Sequence, residues 1–281
     1  MSTAPGCILL PYVERPDLTR EALRDALAQL EGAELTVLLV NHGGRQGLDL
    51  AWVRHPRVLP FDLPLPFPSL GTLWNWGLNL AWTLGCADCM VWNNDIRVAP
   101  GMYRALRQAA DALGLDWISP VNCRDSGDPD LWRWSFAPLA ALGPASLGGP
   151  DFSCFLIRQA LHARYPFDER FEPAWFEDND YHRRLWLGGD GARIAGVPLP
   201  YWHAGSSTLS AADAEGRGAR LHAGFLRSQA RYLAKWGGLP HQERRVTPDS
   251  LEDLDGVGTP GGYLAMPPPE APAIPAAPIA S

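Results

Sequence analysis

No stretch of the 281 residues reaches the roughly 18 consecutive apolar positions of a membrane span. The apolar segment nearest the N-terminus, Cys7 to Leu10, is short and has no basic start, so it does not read as a secretory signal. A soluble, cytoplasmic protein is the expectation. Cysteine is scarce and odd in number: Cys7, Cys86, Cys89, Cys123 and Cys154 do not make a disulfide framework in a chain this long. Cys86-Ala-Asp-Cys89 has the spacing of half a zinc or redox motif, but no second pair accompanies it, and the thiols read as small core side chains. Lysine is nearly missing, because Lys235 is the one cation of 24 that is not arginine. An excess of positive charge is missing as well: 31 acids give a net −7, which at face value argues against a polyanionic partner. Five of those acids and no cation fall in residues 246–281, so 24 cations face 26 acids over residues 1–245. What is present, 46% hydrophobic and 20% charged residues, describes a globular chain with a real core.

The apolar pattern alternates between strand and helix. Cys7 to Tyr12 is a short apolar run; Asp17 or Thr19 then caps a helical segment with Leu23, Leu27 and Leu30 in phase, ended by Gly32. Leu35 to Val40 is an unbroken apolar run, as in a strand covered on both faces. The alternation repeats with a short strand at 57–59, a helix at 70–84, a strand at 88–92, a helix at 101–113 and a strand at 116–121. Residues 124–149 read as a long loop or short hairpin, 153–157 as a strand, 178–187 as a short helix and 213–236 as a longer one. The predicted architecture is α/β, with a mainly parallel sheet flanked by helices. Residues 1–245 form one expected domain, divided into 1–122 and 123–245, and the acidic, Pro-rich stretch 246–281 is expected to be largely disordered. In such sheets ligands bind where loops leave the carboxyl ends of the strands, which directs attention to 11–15, 41–44 and 93–97.

Three strings offer chemistry. Asn93-Asn94-Asp95 closes a hydrophobic strand; a carboxylate with amide neighbours there suits a hard divalent ion, and equally suits a simple turn. Glu177-Asp178-Asn179-Asp180 opens a helix, where the dipole favours carboxylates. One reading is an acidic first turn with Arg183 and Arg184 as partners; the bulky flank Pro173 to Phe176 favours a desolvated base instead. His203, in Tyr201-Trp202-His203-Ala204-Gly205, draws interest only from that company.

The order of the pieces resembles the family 2 glycosyltransferases of the GT-A fold, over about Cys7 to Gly238. ILLPYVERP is similar to their first strand and nucleotide loop, LLVNHGG to the end of their second strand, and SLGTLWNWGLNLA to a segment whose Asn lies near the nucleotide. VWNNDIRVAPG resembles their Asp-containing metal motif, FDERFEPAWFEDNDYHRRLWLGG their acidic catalytic stretch, and YWHAGSS a later His motif. The resemblance implies a nucleotide-diphosphate sugar as donor, a UDP-sugar first, and Mn²⁺ or Mg²⁺ held by Asp95 with His203 as second ligand. It implies Asp178 as the general base, Glu177 orienting acceptor or sugar, and Pro11, Tyr12, Glu14, Asn41, Asn75 and Asn94 about the nucleotide. Asn41 stands where many members have Asp, and the metal motif offers one carboxylate. Direct attack assisted by one base predicts inversion at the anomeric carbon.

On a helix, Arg220, Arg227, Arg231 and Lys235 fall close to one stripe, which reads either as a solvated face or as an anion site for donor phosphates or acceptor. RYLAKWGG, which closes it, resembles phage-type members, some of which act on modified DNA bases. The acceptor is accordingly a saccharide, a protein or modified DNA. A nucleotide-sugar-binding module without catalysis is the reading from another class.

Overall fold

In the computed structural model, residues 5–13, 15–42, 55–62, 69–124, 130–134, 151–205 and 218–247 are described. The elements run β1 (Gly6–Tyr12), α1 (Pro16–Gln29), β2 (Leu35–Asn41), β3 (Val58–Asp62), α2 (Leu70–Thr83), β4 (Asp88–Trp92), β5 (Ile96–Arg97), α3 (Met102–Leu113), β6 (Trp117–Asn122), β7 (Cys154–Arg158), α4 (Gln159–Arg164), α5 (Glu177–Leu187), β8 (Ile194–His203) and α6 (Gly218–Trp236), with short 3₁₀ turns at Leu131–Trp134 and Gly191–Arg193. The strands lie in the order β3-β2-β1-β4-β7-β6-β8-β5. β1, β2, β3 and β4 pair in parallel, as the unbroken apolar runs predict. β7 is antiparallel to both β4 and β6, and β5 is antiparallel to β8, so the sheet is mixed beyond β4.

Both faces of the sheet are covered. One layer packs Leu23, Ala26, Met102 and Leu106 from α1 and α3 against Ile8, Leu10, Met90 and Leu156; the other packs Leu73, Trp74 and Leu78 from α2 with Tyr181 and Leu185 from α5 against Leu9, Val91 and Phe155. Cys7 and Cys89 are register partners on β1 and β4, and all five cysteines are free and buried, which fits their reading as core side chains. Of the 213–236 helix, residues 218–236 are helical and 213–217 lie outside the described residues, as do Glu14, the Gly43-Gly44 and Ser206-Ser207 ends of their motifs, most of 124–149, and 248–281.

A third cluster matters for the site. Phe171, Phe176, Tyr232 and Trp236, with Trp175 and Phe225 against them, fasten the segment before α5 onto α6. Gly224 is needed there: a Cβ on it would stand 2.5 Å from Cδ of Pro173, whose ring has no flexible end to yield. Gly224→Ala is expected to cost about 1–3 kcal/mol through overpacking, read as a lowered midpoint in urea at unchanged slope.

Candidate active site

The first wall of the site comes from strand ends. β4 stops at Trp92, and Asn93-Asn94-Asp95 turns into β5, whose Ile96 faces His203 at the end of β8. That pairing brings Oδ1 of Asp95 within 3.2 Å of Nε2 of His203, although 108 positions separate them, and the Ala204 amide donates to the Asp95 carbonyl at 3.0 Å. Both side chains are sheltered. Asn94 donates to Oγ1 of Thr19 at 2.9 Å, which ties this turn to the first turn of α1.

The second wall is α5 and what precedes it. Trp175 and Phe176 both adopt left-handed backbone conformations, φ 73° and 69°, which bulky residues take up only when their surroundings impose it. The imposition is visible: the Phe225 ring centroid lies 5.8 Å from that of Trp175 and 5.5 Å from that of Phe176, and Tyr232 is 5.4 Å from Phe176. The Leu70 amide at the start of α2 donates to the Pro173 carbonyl at 2.9 Å. This bracing sets Glu177 and Asp178 in the first turn of α5.

Between the walls lies a cavity of about 670 Å³. Pro11, Tyr12, Asn94, Asp95, His203, Glu177 and Asp178 line it, together with His42, Asp151 and aromatic side chains. Burial pushes the Glu177 carboxyl up to about 8, with the neighbouring Asp178 charge adding to the effect, and its Oε2 has no hydrogen-bond partner. Asp178 is raised as well, by burial and by the charge of Asp151, while the Asn179 amide donates to its Oδ1 at 2.8 Å and opposes the rise. Burial pushes His42 down to about 4, so the imidazole facing the cavity is neutral at physiological pH.

The Glu177 shift has a measurable consequence. The folded state holds this proton up to about pH 8, whereas an unfolded Glu releases it near its ordinary value of 4.5. Its contribution to stability is therefore complete below about 4.5 and is lost as pH rises through about 8. Between those limits one more proton is bound in the folded state, a change approaching tenfold in the folding equilibrium per pH unit. Glu177→Gln should flatten this slope, which thermal unfolding at a series of pH values between 5 and 9 will read.

Six expected positions lie outside the cavity lining. Asn75, expected near the nucleotide, is absorbed in packing: its amide donates to the Phe167 carbonyl at 2.9 Å and to Glu169 at 2.8 Å, and its oxygen accepts from the Phe167 amide at 2.9 Å. His162 lies 3.0 Å from the same oxygen, and Asn75 is not among the residues lining the cavity. Asn41 donates to Oδ1 of Asp62 at 2.6 Å, its register partner at the end of β3, so a carboxylate stands one strand beyond the Asn. Lys235 departs from the basic stripe altogether. Its Nζ is buried 2.7 Å from Asp168 and 2.6 Å from Asp180, over the ring of Phe171. Arg220 and Arg227 are exposed, Arg231 is half-buried, and none of the three lines the cavity, because Gly224, Ser228, Tyr232 and Lys235 form the packed face of α6. Asp180, third of the acids, serves this structural hub, since Arg184 and the Trp236 indole also bind it.

Asp151 escaped the sequence reading. It lies in the cavity wall, where the Ser153 amide donates to its Oδ1 at 2.9 Å and the Tyr201 hydroxyl donates to its Oδ2. Its signal was weak, a single acid in a Gly- and Pro-rich stretch. Only the antiparallel insertion of β7 beside β4 brings it to the strand ends.

Asp95 and His203 are of the types that could hold a divalent ion, the carboxylate suiting Mg²⁺ or Mn²⁺ and the imidazole a transition metal. Among the described residues no group of three or more His, Cys, Asp or Glu side chains converges to hold a metal alone. Among the same residues no helix is long and apolar enough to cross a membrane.

No family model and no curated protein matches the sequence. Solved structures do match in shape. The glucosyl-3-phosphoglycerate synthase of Mycobacterium tuberculosis, solved with Mn²⁺, UDP-glucose and phosphoglyceric acid, is similar with a TM-score of 0.53 at 15% identity, over 80% of this chain and 79% of its own. The mannosyltransferase PcManGT of Pyrobaculum calidifontis, solved with GDP-mannose and Mn²⁺, gives 0.55 at 15% identity, over 80% of this chain and 64% of its own. Residues 1–349 of S. aureus TarS with UDP give 0.52 at 16% identity, over 82% and 72%. Together with the mixed sheet and the cavity at its strand ends, these likenesses show that the chain has the GT-A fold of the nucleotide-sugar glycosyltransferases.

Proposed function

We propose that the protein is a divalent-metal-assisted, inverting glycosyltransferase that moves a sugar from a nucleotide-diphosphate sugar to an acceptor hydroxyl. One observation carries the reading: the Asp95–His203 pair and the Glu177-Asp178 turn face one cavity at the strand ends of this fold. Residues 1–122 supply the nucleotide side, with Pro11, Tyr12, Asn94 and His42 at the cavity, and residues 123–245 supply the acceptor side. Asp178 takes the proton from the acceptor hydroxyl as its oxygen attacks the anomeric carbon. The bond from that carbon to the diphosphate breaks, and its electron pair leaves on the phosphate oxygen. Asp95 and His203 would hold Mn²⁺ or Mg²⁺, which when bound neutralises charge on the leaving diphosphate. The exposed face carrying Arg220 and Arg227 does not enter the cavity and so lends no support to a DNA acceptor.

The test is thermal unfolding with a panel of UDP-, GDP- and other nucleotide sugars, with and without Mn²⁺. A true donor at a hundredfold excess over its dissociation constant should stabilise the fold by about 2.7 kcal/mol. Silence across the whole panel would refute the proposal. Asp95→Asn is expected to remove the Mn²⁺-dependent part of the shift while leaving the unliganded transition within a degree or two.

A further inference from the structure

Resting on that reading, we infer that the acceptor is an uncharged hydroxyl compound with an apolar face, and that acceptors bearing a phosphate or carboxylate are rejected. The cavity is polarised. On its donor side Arg124 donates to the Ala204 carbonyl next to His203. Its acceptor side carries Asp151, Glu177 and Asp178, and among the described residues lining the cavity there is no Arg or Lys. The one lysine of the sequence, Lys235, is held by Asp168 and Asp180. With Glu177 protonated up to about pH 8, an anionic acceptor would meet the carboxylates of Asp151 and Asp178 with no counter-charge among the described lining residues, in a sheltered site where like charges repel more strongly than in water.

The remaining surface says what does fit. Trp74, Phe152, Trp175, Phe176 and Phe225 face the same space, which suits the C–H face of a ring-shaped acceptor.

The test uses the full chain, the donor found by the thermal panel, and a matched pair of acceptors, phenyl glucoside and its 6-phosphate, with phosphoglyceric acid as a second anion. Transfer is followed by product mass, and competition with water by release of the free nucleotide. The neutral glycoside should be used, or should suppress donor hydrolysis, at least tenfold better than either anion. Asp151→Asn should narrow that ratio several-fold while leaving donor affinity within twofold. Equal use of both members of the pair, preference for an anion, or failure of the neutral glycoside either to accept or to compete would overturn the inference while leaving the transferase reading intact. Absence of any donor turnover would overturn both. The wild-type ratio decides the matter even if Asp151→Asn, whose carboxylate also binds Tyr201 and the Ser153 amide, folds poorly.

Discussion

Asp178→Asn is expected to lower transfer by about 10²- to 10⁴-fold in kcat, the usual worth of a positioned general base, while the donor still raises the unfolding temperature. The substitution keeps the size of the side chain and its acceptance of the Asn179 amide, and removes the capacity to take a proton. Burial and the Asp151 charge raise this carboxyl above its ordinary value, which makes it a stronger base than an exposed aspartate. The effect should therefore fall on kcat and not on donor affinity, a split that separates catalysis from binding. A nucleotide-sugar-binding module without catalysis predicts the opposite: no turnover to lose in either form. The same preparation answers the stereochemical question, since direct attack yields the inverted anomer, and an NMR spectrum of the product showing retention would refute the single-base mechanism.

Lys235→Met should be strongly destabilising. Its ammonium is 4% exposed between Asp168, 7% exposed, and Asp180, fully buried. Although burial alone would raise Asp168, hydrogen bonds from Arg170 and the charge and hydrogen bond of Lys235 hold it well below the usual carboxylate range. Removing the cation leaves two carboxylates facing each other's charge out of water, and breaking a buried pair by removing one partner costs about 3–5 kcal/mol. Arg170 and Arg184 remain, so about 3 kcal/mol is expected. Denaturant unfolding reads the loss directly. The depressed Asp168 also predicts acid sensitivity: its contribution is present above the ordinary carboxylate value near 3.8 and disappears as pH falls through its lower folded value. Because the hub joins α5 to α6, the variant should lose transfer at temperatures where the sheet is still folded.

Much of this arrangement was legible in the sequence because it is local. Predominantly apolar strands of five to seven residues mark β1, β2 and β4, and the 3.6-residue recurrence of Leu23, Leu27 and Leu30 marks α1, since burial on two faces or one leaves a periodic record. Asp95 drew attention as the acid that ends an apolar strand, and Glu177-Asp178 as acids that open a helix behind the bulky flank of residues 173–176. The failures share a different cause. Asn75 and Lys235 carry polar groups whose partners lie 92 and 67 positions away, so nothing near them in sequence distinguishes a buried clamp from a ligand contact. A periodic row on α6 placed Lys235 with the arginines, yet helical phase alone does not say which side of the stripe packs.

The sequence by itself determined the α/β alternation and the polar turns at the strand ends, because strand and helix periods and turn residues act over a few neighbours. Only the tertiary structure decided that β7 runs antiparallel beside β4, bringing Asp151 to the cavity, and that β5 pairs with β8, setting His203 against Asp95. It also decided that Lys235 is the buried clasp holding α5 to α6. Those outcomes depend on which distant segments can share one packed, fully hydrogen-bonded interior, and that is a property of the whole chain.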